Sequence, residues 1–109
     1  MSDYLQQLGV VKRLFPLIVS GDKTSTIRWR EQRIQHGPLQ FNCDEASSQS
    51  IVVKVVRCTD MPLADAASFV GRADEWPDDV MLAGMREHYP EIKLSDIVQV
   101  VEFEPPSLI

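Results

Sequence analysis

Gly21-Asp22-Lys23-Thr24-Ser25-Thr26-Ile27-Arg28 is where the chain changes its periodicity, and the fold is read outward from it. Upstream, Lys12 to Val19 places Leu14, Phe15, Leu17, Ile18 and Val19 densely enough for a buried helix. Pro16 is acceptable there only in the first turn, where its missing N–H costs little. Ser20-Gly21-Asp22 closes the helix, and Gly21 suits a left-handed C-terminal cap. From Thr24 the period becomes two. Thr24, Thr26, Arg28 and Arg30 share one face, and Ser25, Ile27, Trp29 and Glu31 the other. On this reading Ile27 and Trp29 enter the core, and two hydroxyls and two guanidiniums line up opposite them.

Further out, Gln7 to Val11 suits a short first strand, and His36-Gly37-Pro38 a turn into a strand through Leu39, Phe41 and Cys43. Asp44 to Ser50 is polar and reads as a loop. Ile51 to Cys58 is the clearest strand, rich in β-branched residues with only two charges. Leu63 to Val70 has a helical apolar stripe, and Gly71 to Pro77 is a connection. A second helical stripe (Met81, Leu82, Met85, Tyr89) begins at the acids Asp78-Asp79, carries Arg86 and His88 near its end, and stops at Tyr89-Pro90. Ile97 to Phe103 is a final strand. The order of elements predicts one α+β domain over residues 1–109, mostly β with two to three flanking helices. Its short strands and sharp turns favour a small, partly closed mixed β-barrel over a doubly wound sheet.

Charge narrows the function classes. Sixteen acidic against eleven basic side chains give a net charge of −5, the reverse of a protein that grips long duplexes through their phosphates. A nucleoside or a single base in a loop remains compatible, because a local arginine cluster can coexist with an acidic remainder. No apolar run approaches the roughly 20 residues that span a bilayer. Met1 to Gln7 lacks the basic start and apolar core of a signal peptide, so a cytoplasmic location away from membranes is expected. Cys43 and Cys58 read as reduced thiols among apolar residues. His36 and His88 lack partners at metal-ligand spacing, and neither a metal nor a cofactor is expected.

Lys23 and Thr26 lie three apart at the helix-to-strand junction. A lysine partly desolvated beside Arg28 is a competent general base, and a threonine hydroxyl in its reach is a potential nucleophile. Arg28 and Arg30 suit a phosphate or an oxyanion. Taken by spacing alone, Gly-Asp-Lys-Thr is ordinary loop chemistry and Thr-Ile-Arg-Trp-Arg an ordinary half-exposed strand. Asp74 and Glu75 precede Trp76-Pro77, where a carboxylate can orient a lysine or act as an acid. Trp76 is the better candidate for a pocket wall, and Trp29 the better one for the core.

Gly21-x-Lys23-Thr24-x-Thr26-Ile27-Arg28, directly after an apolar helix, resembles the signature of the ASCH domain, a PUA-like β-barrel related to RNA-binding modules. The chain as a whole is similar to the small bacterial ASCH proteins that act as amidohydrolases on N4-acetylcytidine. The likeness takes in Gly37 to Cys43, Asp74-Glu75, Tyr89-Pro90 and the closing Val-Val-Glu-Phe at 100–103. It implies Lys23, Thr26 and a distant acid as the catalytic set, with Gly21, Arg28, Arg30 and Trp76 as substrate contacts. Counting back from Tyr89-Pro90 puts the family's glutamate at Asp74, with Glu75 one residue later, and Gly37-Pro38 stands where Gly-Asp is more usual. The implied partner is a modified nucleoside or single-stranded RNA, and the alternative activities are a ribonuclease and a non-catalytic RNA-binding module.

Overall fold

The computed structural model describes residues 5–44 and 49–106. The signal-peptide reading at residues 1–4 and residues 45–48 of the polar loop lie outside them. The elements are β1 (Gln6–Val10), α1 (Phe15–Ser20), β2 (Ser25–Arg28), β3 (Gly37–Cys43), β4 (Ser50–Pro62), α2 (Leu63–Phe69), α3 (Asp78–Arg86) and β5 (Ile97–Glu104). The strands form one five-stranded sheet in the order β1-β3-β4-β5-β2. β1 runs parallel to β3, and β3 antiparallel to β4, so the sheet is mixed and the class is α+β. Among the described residues no helix is long and apolar enough to cross a membrane.

The chain divides into two compact units. One comprises the segments up to Thr26, Ile34–Cys58 and from Val101 onward, and the other Ile27–Arg33 and Thr59–Val100. In the first unit the strict alternation of β1 buries Leu8 and Val10. Their register partners in β3 are Phe41 and Cys43, which are buried too. Leu39 opposite Val53 continues the layer, and Phe103 tilts against Phe41 with ring centroids 5.2 Å apart. α1 adds Phe15 and Ile18. It begins three residues later than its apolar density suggested, which puts Pro16 in the first turn, and it ends on Gly21 at φ 86° with its N–H donated to the Ile18 carbonyl at 3.2 Å. A methyl group on Gly21 would stand 3.3 Å from Pro105. Gln6 is the buried polar residue of β1. Its amide donates to the carbonyls of Gln35 and Pro38 and accepts from the Gln35 N–H, so no desolvated group is left over.

The second unit packs Leu63, Ala66 and Ala67 of α2 against Met81, Ile92, Val98 and Val100, with Ile27, Trp29, Trp76, Met85 and Tyr89 around them. The opening N–H groups of α2 donate to the carbonyls of Asp96 and Leu94 in place of a side-chain cap. α3 carries Asp78 and Asp79 in its first turn and Arg86 in its last, matching the helix dipole.

Three details correct the sequence reading. β2 stops at Arg28, where the chain bends with Arg30 at φ 57°, so Arg30 does not continue the strand face. The buried residue of β2 is Thr26, not Ile27, and Ile27 and Trp29 are only half-buried. β4 also runs four residues beyond Cys58, carrying Asp60 within the strand.

Candidate functional site

The second unit holds a polar cavity of about 200 Å³, lined by Arg28, Arg30, Glu31, Gln32, Arg33, Asp60, Ile97, Val98 and Gln99. Its construction starts at the end of β2. Arg28, the last strand residue, keeps its side chain largely buried and sets Nη1 3.5 Å from Glu31 Oε1. After the bend at Arg30, residues 30–33 all contribute to the lining. Glu31 is held from the other side by the Tyr89 hydroxyl, which donates to its Oε2. Tyr89 in turn sets the edge of its ring against Trp29 at 5.9 Å, and the Arg30 guanidinium lies 4.3 Å over the face of the same indole. Arg33 forks onto Asp60 of β4 with bonds of 2.8 and 2.9 Å. β5 supplies Val98 and Gln99, both buried, and Gln99 is the one uncharged polar lining residue taken out of water.

The electrostatics follow from these contacts. Half-burial, helped by the hydrogen bond to the Glu31 carboxylate, pushes the Tyr89 phenol up to about 12, so it remains a proton donor to Glu31 at neutral pH. The Arg33 guanidinium holds the Asp60 carboxyl below its usual range. Three guanidiniums against two carboxylates leave the lining with one net positive charge, in a chain of net charge −5. Among the described residues no group of three or more His, Cys, Asp or Glu side chains is arranged to hold a metal.

The residues singled out from the sequence fall in three places. Arg28 and Arg30 line the cavity. Gly21, Lys23 and Thr26 belong to the first unit. There Gly21 caps α1, the half-buried Lys23 donates its backbone N–H to Leu17, and Thr26 is buried. Asp74, Glu75 and Trp76 belong to the second unit but are not among the residues lining the cavity. Asp74 and Glu75 are exposed, and Glu75 takes Arg72 Nη1 at 3.1 and 3.2 Å. Trp76 is half-buried in the apolar cluster with the Arg72 guanidinium 5.9 Å from its ring. Glu31, Arg33, Asp60, Tyr89 and Gln99 were not anticipated. The polar run Arg30 to Arg33 directly after an apolar strand is a signal that could have drawn attention to the first two.

No family model matches the chain, and no curated protein does. Solved structures do. Two point variants of the ZmASCH protein of Zymomonas mobilis, one tyrosine-to-phenylalanine and one serine-to-alanine, superpose with a TM-score of 0.69 at 13% identity. The match covers 92% of this chain and 68% or 67% of theirs. The fold is ASCH-like. Protein EF3133 of Enterococcus faecalis, assigned to the DUF984 family, follows with a TM-score of 0.58 at 20% identity, over 85% of this chain and 69% of that one. At such identities the ASCH-like likeness is one of fold, and chemistry has to be argued from the residues themselves.

Proposed function

We propose that this ASCH-like chain is an amidohydrolase that removes the acetyl group from N4-acetylcytidine or a closely related acylated pyrimidine nucleoside. The observation that carries the reading is the cavity at the end of the signature strand, lined by Arg28 and by the buried Gln99. Its volume is below the roughly 300 to 1,000 Å³ of sites that enclose a whole drug-sized ligand, so it suits one ring or one charged group. A carboxamide offers a donor and an acceptor side by side, which complements the exocyclic N–H and ring nitrogen of an acylated cytosine.

In this reading Lys23, neutral, accepts the Thr26 proton as the threonine oxygen attacks the amide carbonyl. Arg28 or backbone N–H groups stabilise the oxyanion. Collapse expels the exocyclic nitrogen, which takes from Lys23 the proton that came from Thr26, and leaves the acetyl group on Thr26. Water then hydrolyses that ester to release acetate. The resemblance assigns the acid of the catalytic set to Asp74 or Glu75. We favour Asp74, because Glu75 is engaged by Arg72 whereas Asp74 has no ion-pair partner among the described residues.

Lys23→Ala and Thr26→Ala are expected to abolish turnover of N4-acetylcytidine, and Asp74→Asn to lower it far more than Glu75→Gln. Full activity in either alanine variant overturns the catalytic set. Should no acetate be released while single-stranded RNA binds with an affinity that falls as salt rises, the chain is a binding module instead.

A further inference from the structure

We propose that the preferred occupant of the arginine-lined cavity carries a phosphate, and that Arg30 is the residue that recognises it. The ligand is then a cytidine nucleotide, free or as a residue of RNA, rather than a neutral nucleoside. The proposal deepens the reading above and rests on it for the identity of the base.

Charge is the first reason. Arg28 faces Glu31, and Arg33 is forked onto Asp60, so each has a carboxylate against it. Arg30 has no carboxylate partner among the described residues, and the uncompensated charge of the lining sits on it. A neutral nucleoside leaves that charge unanswered, whereas a phosphate oxygen answers it with a charge-assisted hydrogen bond.

Placement is the second reason. Arg30 is exposed while Val98, Gln99 and the Arg28 side chain, which faces Glu31, are largely buried, so uncompensated charge rises toward solvent. A base seated inward with its sugar phosphate outward matches that gradient.

Preorganisation is the third. Arg30 is the non-glycine residue with positive φ among the described residues, a conformation that L side chains avoid. Its guanidinium carbon lies 4.3 Å over the Trp29 ring, a contact that restricts its rotamers before any anion is met. Trp29 is itself braced by Tyr89. A backbone held in an uncommon region so as to present a cation over an indole, with no carboxylate partner among the described residues, is the arrangement expected of an anion contact.

The test compares binding of cytidine, cytidine 5′-phosphate and a short single-stranded RNA without a terminal phosphate to the full chain by calorimetry, at two salt concentrations. The variants are Arg30→Gln and Arg30→Gly, the second chosen because glycine adopts the native φ without strain. One exposed charge-assisted contact predicts that the nucleotide or the RNA binds about tenfold more tightly than cytidine, and that higher salt narrows the gap. Both variants should erase the preference for the phosphate-bearing ligands over cytidine. A gain with cytidine 5′-phosphate identifies a terminal phosphate, and a gain with the RNA alone a phosphodiester. Equal affinity for all three ligands, or a preference that survives both variants, overturns the proposal. Acetate release from N4-acetylcytidine, followed in the same preparations, separates the two claims. Hydrolysis without phosphate preference refutes the Arg30 proposal alone, and Arg30-dependent phosphate preference without hydrolysis refutes the amidohydrolase reading alone.

Discussion

Tyr89→Phe isolates the brace behind the cavity. The substitution keeps the ring against Trp29 and removes only the hydroxyl that donates to Glu31. The phenol is raised from its ordinary 10 to about 12, which at 1.36 kcal/mol per unit corresponds to ~2.7 kcal/mol in favour of the protonated form. Burial is the larger cause of that shift and is kept in phenylalanine, so the loss is that of the hydrogen bond to the exposed Glu31, ~1 kcal/mol after solvent screening. For a chain of this length that corresponds to a fall in Tm of about 4 °C at neutral pH. The pH dependence has a definite sign. Because the folded-state value lies above the unfolded one, the stabilisation is complete below pH 10 and is lost as pH rises from 10 through 12. Urea unfolding of both proteins between pH 7 and 11 should show a constant gap that narrows above pH 10. Tyr4 and Tyr89 are the two tyrosines of the chain, so the difference between the phenolate absorbance titrations of the two proteins reports Tyr89 alone. A difference titration centred near 10, or a stability gap that does not narrow above that pH, would refute the reasoning.

Other perturbations probe the frame that carries the signature. Gly21→Ala forces a left-handed backbone on a residue with a Cβ and crowds Pro105, and it should lower the unfolding free energy by about 1–2 kcal/mol in urea. Phe41→Ala empties a fully buried position in the first unit, with an expected loss of ~3–5 kcal/mol by the same measurement. A loss under about 1 kcal/mol would mean that the β1–β3–β4 layer is not packed as described.

How far the sequence foretold this structure depends on what kind of signal each element leaves. β1, α1, α2, α3 and β5 were legible because their apolar residues recur at 2 or 3.6, and because Gly21 and Pro16 punctuate α1 where geometry requires them. The far end of β4 was not, since Thr59 and Asp60 are polar and only sheet pairing keeps them extended. Alternation found β2 and sent Ile27 and Trp29 toward the second unit's core, where they pack half-buried, but it left the opposite face open at Thr26. It treated the Thr26 hydroxyl as solvent-seeking, whereas among the described residues every buried side-chain polar atom finds a partner. The bend at Arg30 left no trace, because Trp29-Arg30-Glu31 contains none of the Gly, Asn or Pro residues that mark turns. The site was half legible. Arg28 and Arg30 sit in the signature stretch, but Arg33–Asp60 joins residues 27 apart and Tyr89–Glu31 residues 58 apart, and no local pattern announces such pairs.

The central claim is a chemical one, and one measurement bears on it most directly: incubation of the purified chain with N4-acetylcytidine, alongside the Thr26→Ala variant, with quantification of cytidine and acetate. The native chain should release both products in equimolar amounts, and Thr26→Ala none above background. No release by the native chain, or equal release by the variant, would contradict it.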